Sequence, residues 1–226
     1  MRLVALHGFL GKNSDWDVLS SLFIYPIDPF MFSRHGFLSL NEFGKQLNTH
    51  LEGKNILLGY SMGGRLGLHA LLDDPKKWKA AIIISTHPGL DEDEKKTRIK
   101  SDSQLLREFE EDFDASLKKW NEMPLFSNQS TFLRKAQDHP PFHLKQSLKF
   151  WSLGNQQDLK PAIKNLDLPI FWIVGEHDEK FKHLAKTMQF SHPKSKIWIA
   201  ENCFHRVAWE VPKACEKEIK QFLEGL

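Results

Sequence analysis

Ala80 to Ser85 reads AAIIIS, and Ile170 to Val174 reads IFWIV. Such unbroken apolar, β-branched runs are too short for helices and carry no polar face. They predict strands buried on both sides, as in a parallel sheet. Four more strand-like runs occur at Arg2 to Leu6, Leu22 to Ile27, Asn55 to Leu58 and Lys196 to Ala200. Helical patterns lie between them or after the last, at Leu40 to Leu51, Gly64 to Leu72, Glu179 to Phe190 and Pro212 to Leu226. Strands alternating with helices predict an α/β fold on a mostly parallel sheet of about six strands.

The rhythm breaks between His87 and Pro161, where no convincing strand occurs. Ser103 to Trp120 reads as an amphipathic helix, with Ser101 or Asp102 as its cap. Thr131 to Gln137 and Phe142 to Trp151 read as two more, separated by Pro140-Pro141. The expected organisation is one catalytic unit, with residues 1–86 and 162–226 as the core and 87–161 as a helical insertion. That insertion is either a lid over an active site or an added structural layer.

Charge and composition narrow the possible partners. Lys plus Arg is 31 and Asp plus Glu 29, a net +2 without the clustered basic excess of a nucleic-acid binder. No apolar run approaches the 18 or so residues of a membrane span. Met1 to Leu10 is apolar but lacks a small-residue cleavage site, so it reads as part of the fold and the expected location is the cytoplasm. Two cysteines, Cys203 and Cys215, are too few for a disulfide framework. Histidines, cysteines and carboxylates are not clustered at ligand spacing, so no metal or cofactor is expected. Only seven of the 31 basic residues are arginines. Each is of interest, because Arg grips a carboxylate with a geometry Lys cannot copy.

The chemistry-bearing motif is Gly59-Tyr60-Ser61-Met62-Gly63, a G-x-S-x-G between an apolar strand and a helix. This is the context of a nucleophile elbow. Side chains at 59 and 63 would collide with neighbouring backbone in so sharp a turn. Ser61 is thereby lifted to a helix N-terminus, where developing negative charge is favoured. An oxyanion hole needs two N–H donors. Met62 is one candidate, and Phe9, in the loop Leu6-His7-Gly8-Phe9-Leu10-Gly11 after the first strand, is the other. The acid should follow a late strand. Asp178 in Gly175-Glu176-His177-Asp178 is the first candidate and Glu176 its rival. Of eleven histidines only His205 follows the last strand in the required order. Asp178 would then hold the imidazole tautomer, and His205 would deprotonate Ser61.

With these motifs the chain resembles the α/β-hydrolase superfamily. Within it, the chain is most similar to the 2-succinyl-6-hydroxy-2,4-cyclohexadiene-1-carboxylate synthases (MenH) of menaquinone biosynthesis. The similarity also takes in Gly64-Arg65, His87-Pro88-Gly89-Leu90, Arg98-Ile99-Lys100-Ser101-Asp102, Trp120 with Pro124-Leu125-Phe126, Leu133-Arg134 and Gly175 to Phe181. The chain departs from the superfamily pattern at Phe204, where Gly is usual before the histidine. Its first strand directly precedes His7, so the expected sheet lacks the superfamily's N-terminal hairpin and has an open edge there.

The resemblance implies a lyase that eliminates pyruvate from a cyclohexene tricarboxylate, with the triad acting as a base on a ring proton. Ser61, His205 and Asp178 carry the base. Phe9 and Met62 N–H groups hold the developing oxyanion. Arg65, Arg98 and Arg134 grip carboxylates, and Tyr60 and Trp120 shape and dry the pocket. A small polycarboxylate is the expected partner, and the chain is a monomer or homodimer. The same triad would also serve a carboxylesterase or thioesterase working through an acyl-enzyme. A non-catalytic binding protein on the same scaffold is the third possibility, opposed by the intact Ser61, Asp178 and His205.

Overall fold

The computed structural model describes residues 2–33, 35–126 and 133–226. Six strands form one sheet in the order β2-β1-β3-β4-β5-β6. They are β1 (Leu3–Leu6), β2 (Ile24–Ile27), β3 (Asn55–Tyr60), β4 (Trp78–Ile84), β5 (Ile170–Gly175) and β6 (Lys196–Ala200). Every neighbouring pair is parallel, so the sheet is wholly rather than mostly parallel. β3 and β5 are buried at every residue, as their continuous apolar runs require. The sheet edges are β6 and β2; β2, on the side of β1, is four residues long and contains Pro26, which has no N–H to offer another chain.

The pleat divides each central strand between two cores. Leu6, Leu57, Ile83 and Trp172 face α1 (Leu40–His50), α2 (Met62–Asp73) and other helices of that layer. Ala5, Leu58, Ile82 and Phe171 face the opposite side. Further along the chain come α3 (Glu92–Glu111), α4 (Phe113–Asn121), α5 (Pro141–Lys145), α6 (Lys160–Lys164), α7 (Glu179–Thr187), α8 (Val207–Glu210) and α9 (Pro212–Glu224). Ile219 and Phe222 of α9 close the second core, together with both free cysteines, Cys203 and Cys215. Burial pushes those thiols up to about 11 and about 12, so neither is a reactive nucleophile at neutral pH.

The insertion between β4 and β5 is helical, but its elements differ from the sequence expectation. The helix expected over Ser103 to Trp120 starts earlier, at Glu92, and is two helices. Its cap is neither Ser101 nor Asp102 but Asp91, in a reciprocal box with Glu94. Asp112 breaks the run: it adopts an extended backbone, and its carboxylate accepts the Ala115 N–H at 3.0 Å, starting α4. Of the helix expected over Thr131 to Gln137, Thr131 and Phe132 lie outside the described residues. Leu133 to Lys135 are non-helical, and a single 3₁₀ turn covers Ala136–Asp138. The helix expected over Phe142 to Trp151 is α5 followed by a π-turn at Gln146–Phe150. Gln146 pins that turn to the core, donating to Leu38 O at 2.6 Å and accepting from Leu38 N at 3.0 Å.

Candidate active site

Ser61 joins β3 to α2 with φ 50° and ψ −112°, a backbone region that side chains disfavour. Its N–H donates to Ile84 O at 2.9 Å, which fixes the turn on β4. The flanking glycines are obligatory by contact. A Cβ on Gly63 would stand 2.1 Å from Leu6 O, and one on Gly59 would stand 2.6 Å from Gly64 Cα. Met62 opens α2, so its N–H belongs to the unpaired first turn. Phe9 and Met62 both border the cavity beside Ser61. Among the described residues neither N–H has an acceptor.

Asp178 follows β5 and caps α7, accepting the Phe181 N–H at 3.5 Å through Oδ1. Its Oδ2 accepts from His205 Nδ1 at 2.6 Å. His205 Nε2 lies 3.2 Å from Ser61 Oγ. An Nδ1–H bound to the carboxylate leaves Nε2 free to accept the Ser61 hydroxyl proton. Asp178 and His205 are both buried. Glu176, the rival acid, instead accepts the Asn202 N–H at 3.0 Å and braces the turn after β6. Phe204 does not displace the histidine, because its ring turns away to pack 5.1 Å from that of His177. Its N–H donates to Glu210 at 2.7 Å, and the Arg206 N–H to the same carboxylate at 3.0 Å.

Two cavities meet at Ser61. The inner one, about 80 Å³, is bordered by Phe9, Arg65, Arg98, Asp102 and Trp120 among others. The outer one, about 540 Å³, adds His205, Lys119, Lys180 and Phe126. Arg65, one turn beyond Ser61 on α2, is 7% exposed, and among the described residues its Nη1 has no partner. Burial, and then the neighbouring Arg98, pull its pKa down to about 9, with Asp102 opposing. It therefore stays cationic at neutral pH, a buried charge with a bond left to make. Arg98 donates through Nε to Asp102 at 2.8 Å, and Asp102 also accepts the Ser152 hydroxyl at 2.7 Å. Trp120 sets its ring edge-on to Phe9 at 5.0 Å and walls both cavities.

Two expected substrate contacts sit elsewhere. Tyr60 borders neither cavity. Its ring packs 4.7 Å from Trp209, and its phenol, held un-ionised by burial, is hydrogen-bonded to Arg206. The cause is the strand pleat, which turns residue 60 to the second core. Arg134 also borders neither cavity. It donates to Asp15 Oδ2 at 2.7 Å and to Leu10 O at 2.5 Å, so a carboxylate of this chain occupies its fork. Sequence reasoning passed over His87, Asp102, Phe181 and Lys180 as site residues. All four lay within stretches already recognised as similar to the family, and their positions after β4, on α3 and at the start of α7 were the available signal.

Among the described residues no helix is long and apolar enough to cross a membrane, and no group of three or more potential ligands is placed to hold a metal. A family model described as alpha/beta hydrolase fold matches residues 26–212. A 2-succinyl-6-hydroxy-2,4-cyclohexadiene-1-carboxylate synthase from Enterobacter sp. (strain 638) is 30% identical over 98% of this chain and 91% of the relative. A protein of the same name from Photorhabdus laumondii is 32% identical over 81% of this chain and 73% of its own length. Among solved structures, MenH from S. aureus superposes with a TM-score of 0.88 at 24% identity, covering 100% of this chain and 94% of the other. A Thermogutta terrifontis esterase shares the fold at a TM-score of 0.70 and 15% identity, covering 100% and 90%. The chain therefore belongs to the α/β-hydrolase fold family and, within it, to the 2-succinyl-6-hydroxy-2,4-cyclohexadiene-1-carboxylate synthases.

Proposed function

We propose that this protein is a lyase of menaquinone biosynthesis. It eliminates pyruvate from 2-succinyl-5-enolpyruvyl-6-hydroxy-3-cyclohexene-1-carboxylate and leaves the cyclohexadiene product. Ser61, polarised by His205 and Asp178, removes a ring proton. The released electron pair forms one ring double bond, the existing ring double bond shifts by one position, and the C–O bond to the enolpyruvyl group breaks. The proton passes through His205 to the departing enolate carbon, giving pyruvate, so no water and no acyl-enzyme are required. Phe9 and Met62 N–H groups hold the oxygen on which charge develops. Arg65 and Arg98 bind substrate carboxylates, and the insertion carrying Arg98 and Trp120 serves as the lid.

The observation that carries this reading is the buried Arg65, cationic and with an open Nη1, beside the cavity that also holds the Ser61 hydroxyl. A pocket for apolar esters gains nothing from a buried cation, whereas a tricarboxylate supplies its counter-charge. The test is pyruvate release from the true substrate. Ser61→Ala is expected to remove it, and Asp178→Asn to slow it by about 10³- to 10⁴-fold. Glu176→Gln is expected to leave it near the wild-type rate. Rapid hydrolysis of short p-nitrophenyl esters with a burst, and no pyruvate release, would replace the lyase with the esterase reading.

A further inference from the structure

We propose that His87 is a neutral hydrogen-bond donor to the substrate, offering Nε2–H to a carboxylate or carbonyl oxygen seated beside Arg65 and Arg98. This deepens the polycarboxylate reading above and rests on it.

The tautomer follows from the local fold. His87 lies just beyond β4, and its Nδ1 accepts the Gly89 N–H at 3.2 Å. An Nδ1 that accepts carries no proton, so the proton of the neutral ring is on Nε2. The residue is held at both ends: its carbonyl accepts from Gln156 Nε2 at 3.1 Å, and Phe181 packs edge-on to the ring at 5.9 Å. It is 5% exposed, yet it borders both cavities that meet at Ser61. Among the described residues Nε2 has no acceptor. An oriented donor without a partner, on a residue that borders the site where anions are expected, awaits an acceptor oxygen.

Charge decides what the ring can do. Lys180, Arg65, Arg98 and Lys160 surround it, and burial together with these cations pulls its pKa down to about 3. The ring is therefore uncharged at neutral pH and a poor general acid. It adds direction without adding another cation beside Arg65, Arg98 and Lys180. It acts on recognition, and proton transfer stays with Ser61 and His205.

The experiment compares His87→Phe, which keeps a ring without a donor, with His87→Gln, which restores an N–H. His87→Ala serves as a second donor-free variant should the Phe substitution not fold. The expected result is a rise in KM of about tenfold for His87→Phe, with kcat near wild type and most of the loss recovered by His87→Gln. The ratio of wild-type to His87→Phe kcat/KM should stay constant from about pH 5 to 8, as an untitrated group requires. Binding of benzene-1,3,5-tricarboxylate by calorimetry should weaken in parallel, with Arg65→Ala as the control for loss of the anion site. An unchanged KM in both donor-free variants, a His87→Gln no better than His87→Phe, or a ratio that drifts with pH overturns the proposal. Absence of pyruvate release by the wild type, with tricarboxylate binding still sensitive to His87→Phe, overturns the lyase reading and leaves the donor in place.

Discussion

The guanidinium of Arg206 lies 4.0 Å from the centre of the Phe126 ring, and that ring stands edge-on to His205 at 5.7 Å. The residue immediately after the candidate catalytic histidine thus steadies one wall of the imidazole's surroundings. The same side chain donates to Asn121 Oδ1 at 2.9 Å and is hydrogen-bonded to Tyr60, whose ring is 5.6 Å from His205. Together with Phe181 at 4.5 Å, Tyr60 and Phe126 confine the histidine. Arg206→Met should lower kcat by about tenfold with little change in KM, because the imidazole loses definition relative to Ser61. In a Phe126→Leu background the same substitution should cost far less. A cycle of kcat measurements on the two single variants and the double variant checks that coupling.

Arg65 and Arg134 should behave differently, although both were expected to grip substrate. Arg65→Ala should raise KM roughly 10- to 150-fold, the worth of a charge-assisted carboxylate bond of about 1.5–3 kcal/mol. Arg134→Ala removes the strut between Asp15 and the Leu10 carbonyl, next to the candidate donor Phe9. Its cost should appear mainly in kcat and in a lower Tm. Steady-state kinetics alongside thermal melting separates the two patterns, and an Arg134→Ala effect confined to KM would reinstate it as a substrate contact.

Stability should fall as the medium is acidified below pH 6.5. Burial pulls the pKa of His87 down to about 3 and those of His69 and His139 to about 4, against an ordinary 6.5. In the unfolded chain these rings take up protons as the pH drops through 6.5; in the folded chain they do not until about 4 or lower. Between those values the unfolded state binds more protons, so unfolding becomes easier as pH falls, and the full stability returns above 6.5. A Tm lower by about 5–10 °C at pH 4.5 than at pH 7 is expected. Replacing all three histidines by Gln should flatten that slope in a melting series across pH.

Gly63→Ala should destabilise the fold rather than merely slow the reaction. The new methyl would meet Leu6 O and also His7 O at 2.4 Å, both backbone atoms of β1 and the loop that follows it. Neither can rotate aside, so a cost of about 3–5 kcal/mol is expected. Urea unfolding would register it as a lower midpoint with an unchanged slope.

Most of the central architecture was legible because it depends on burial, which acts directly on side-chain identity. The runs IFWIV and KIWIA marked β5 and β6 to within a residue. The elbow was legible because Gly59 and Gly63 are imposed by contacts that no other residue satisfies. Asp178 and His205 were picked out by chain order and by their places just after late strands, taken together with the elbow. The insertion was less legible, since its boundaries turn on single polar side chains such as Asp91 and Asp112 that choose between capping and continuing a helix. Tyr60 and Arg134 lie outside the two cavities at Ser61 for a related reason. Chain position says that they are near the elbow and in the insertion; only the pleat of β3 and the carboxylate of Asp15 determine which way each side chain turns.

The π-turn at Gln146–Phe150 carries a different kind of information. There the Trp151 N–H reaches back to Gln146 O at 2.8 Å, spanning one residue more than an α-helix would. Such a turn is an α-helix that has absorbed a single extra residue. Ser147 and Leu148, which border the inner cavity, lie inside it. The wall they form is thus set by residue count as much as by residue type: loss of one residue here would re-form a regular helix and swing both side chains about 100° around its axis. Swapping one residue for another at these positions changes what the wall presents but leaves the count untouched, so the direction of these side chains is open to change by insertion and deletion.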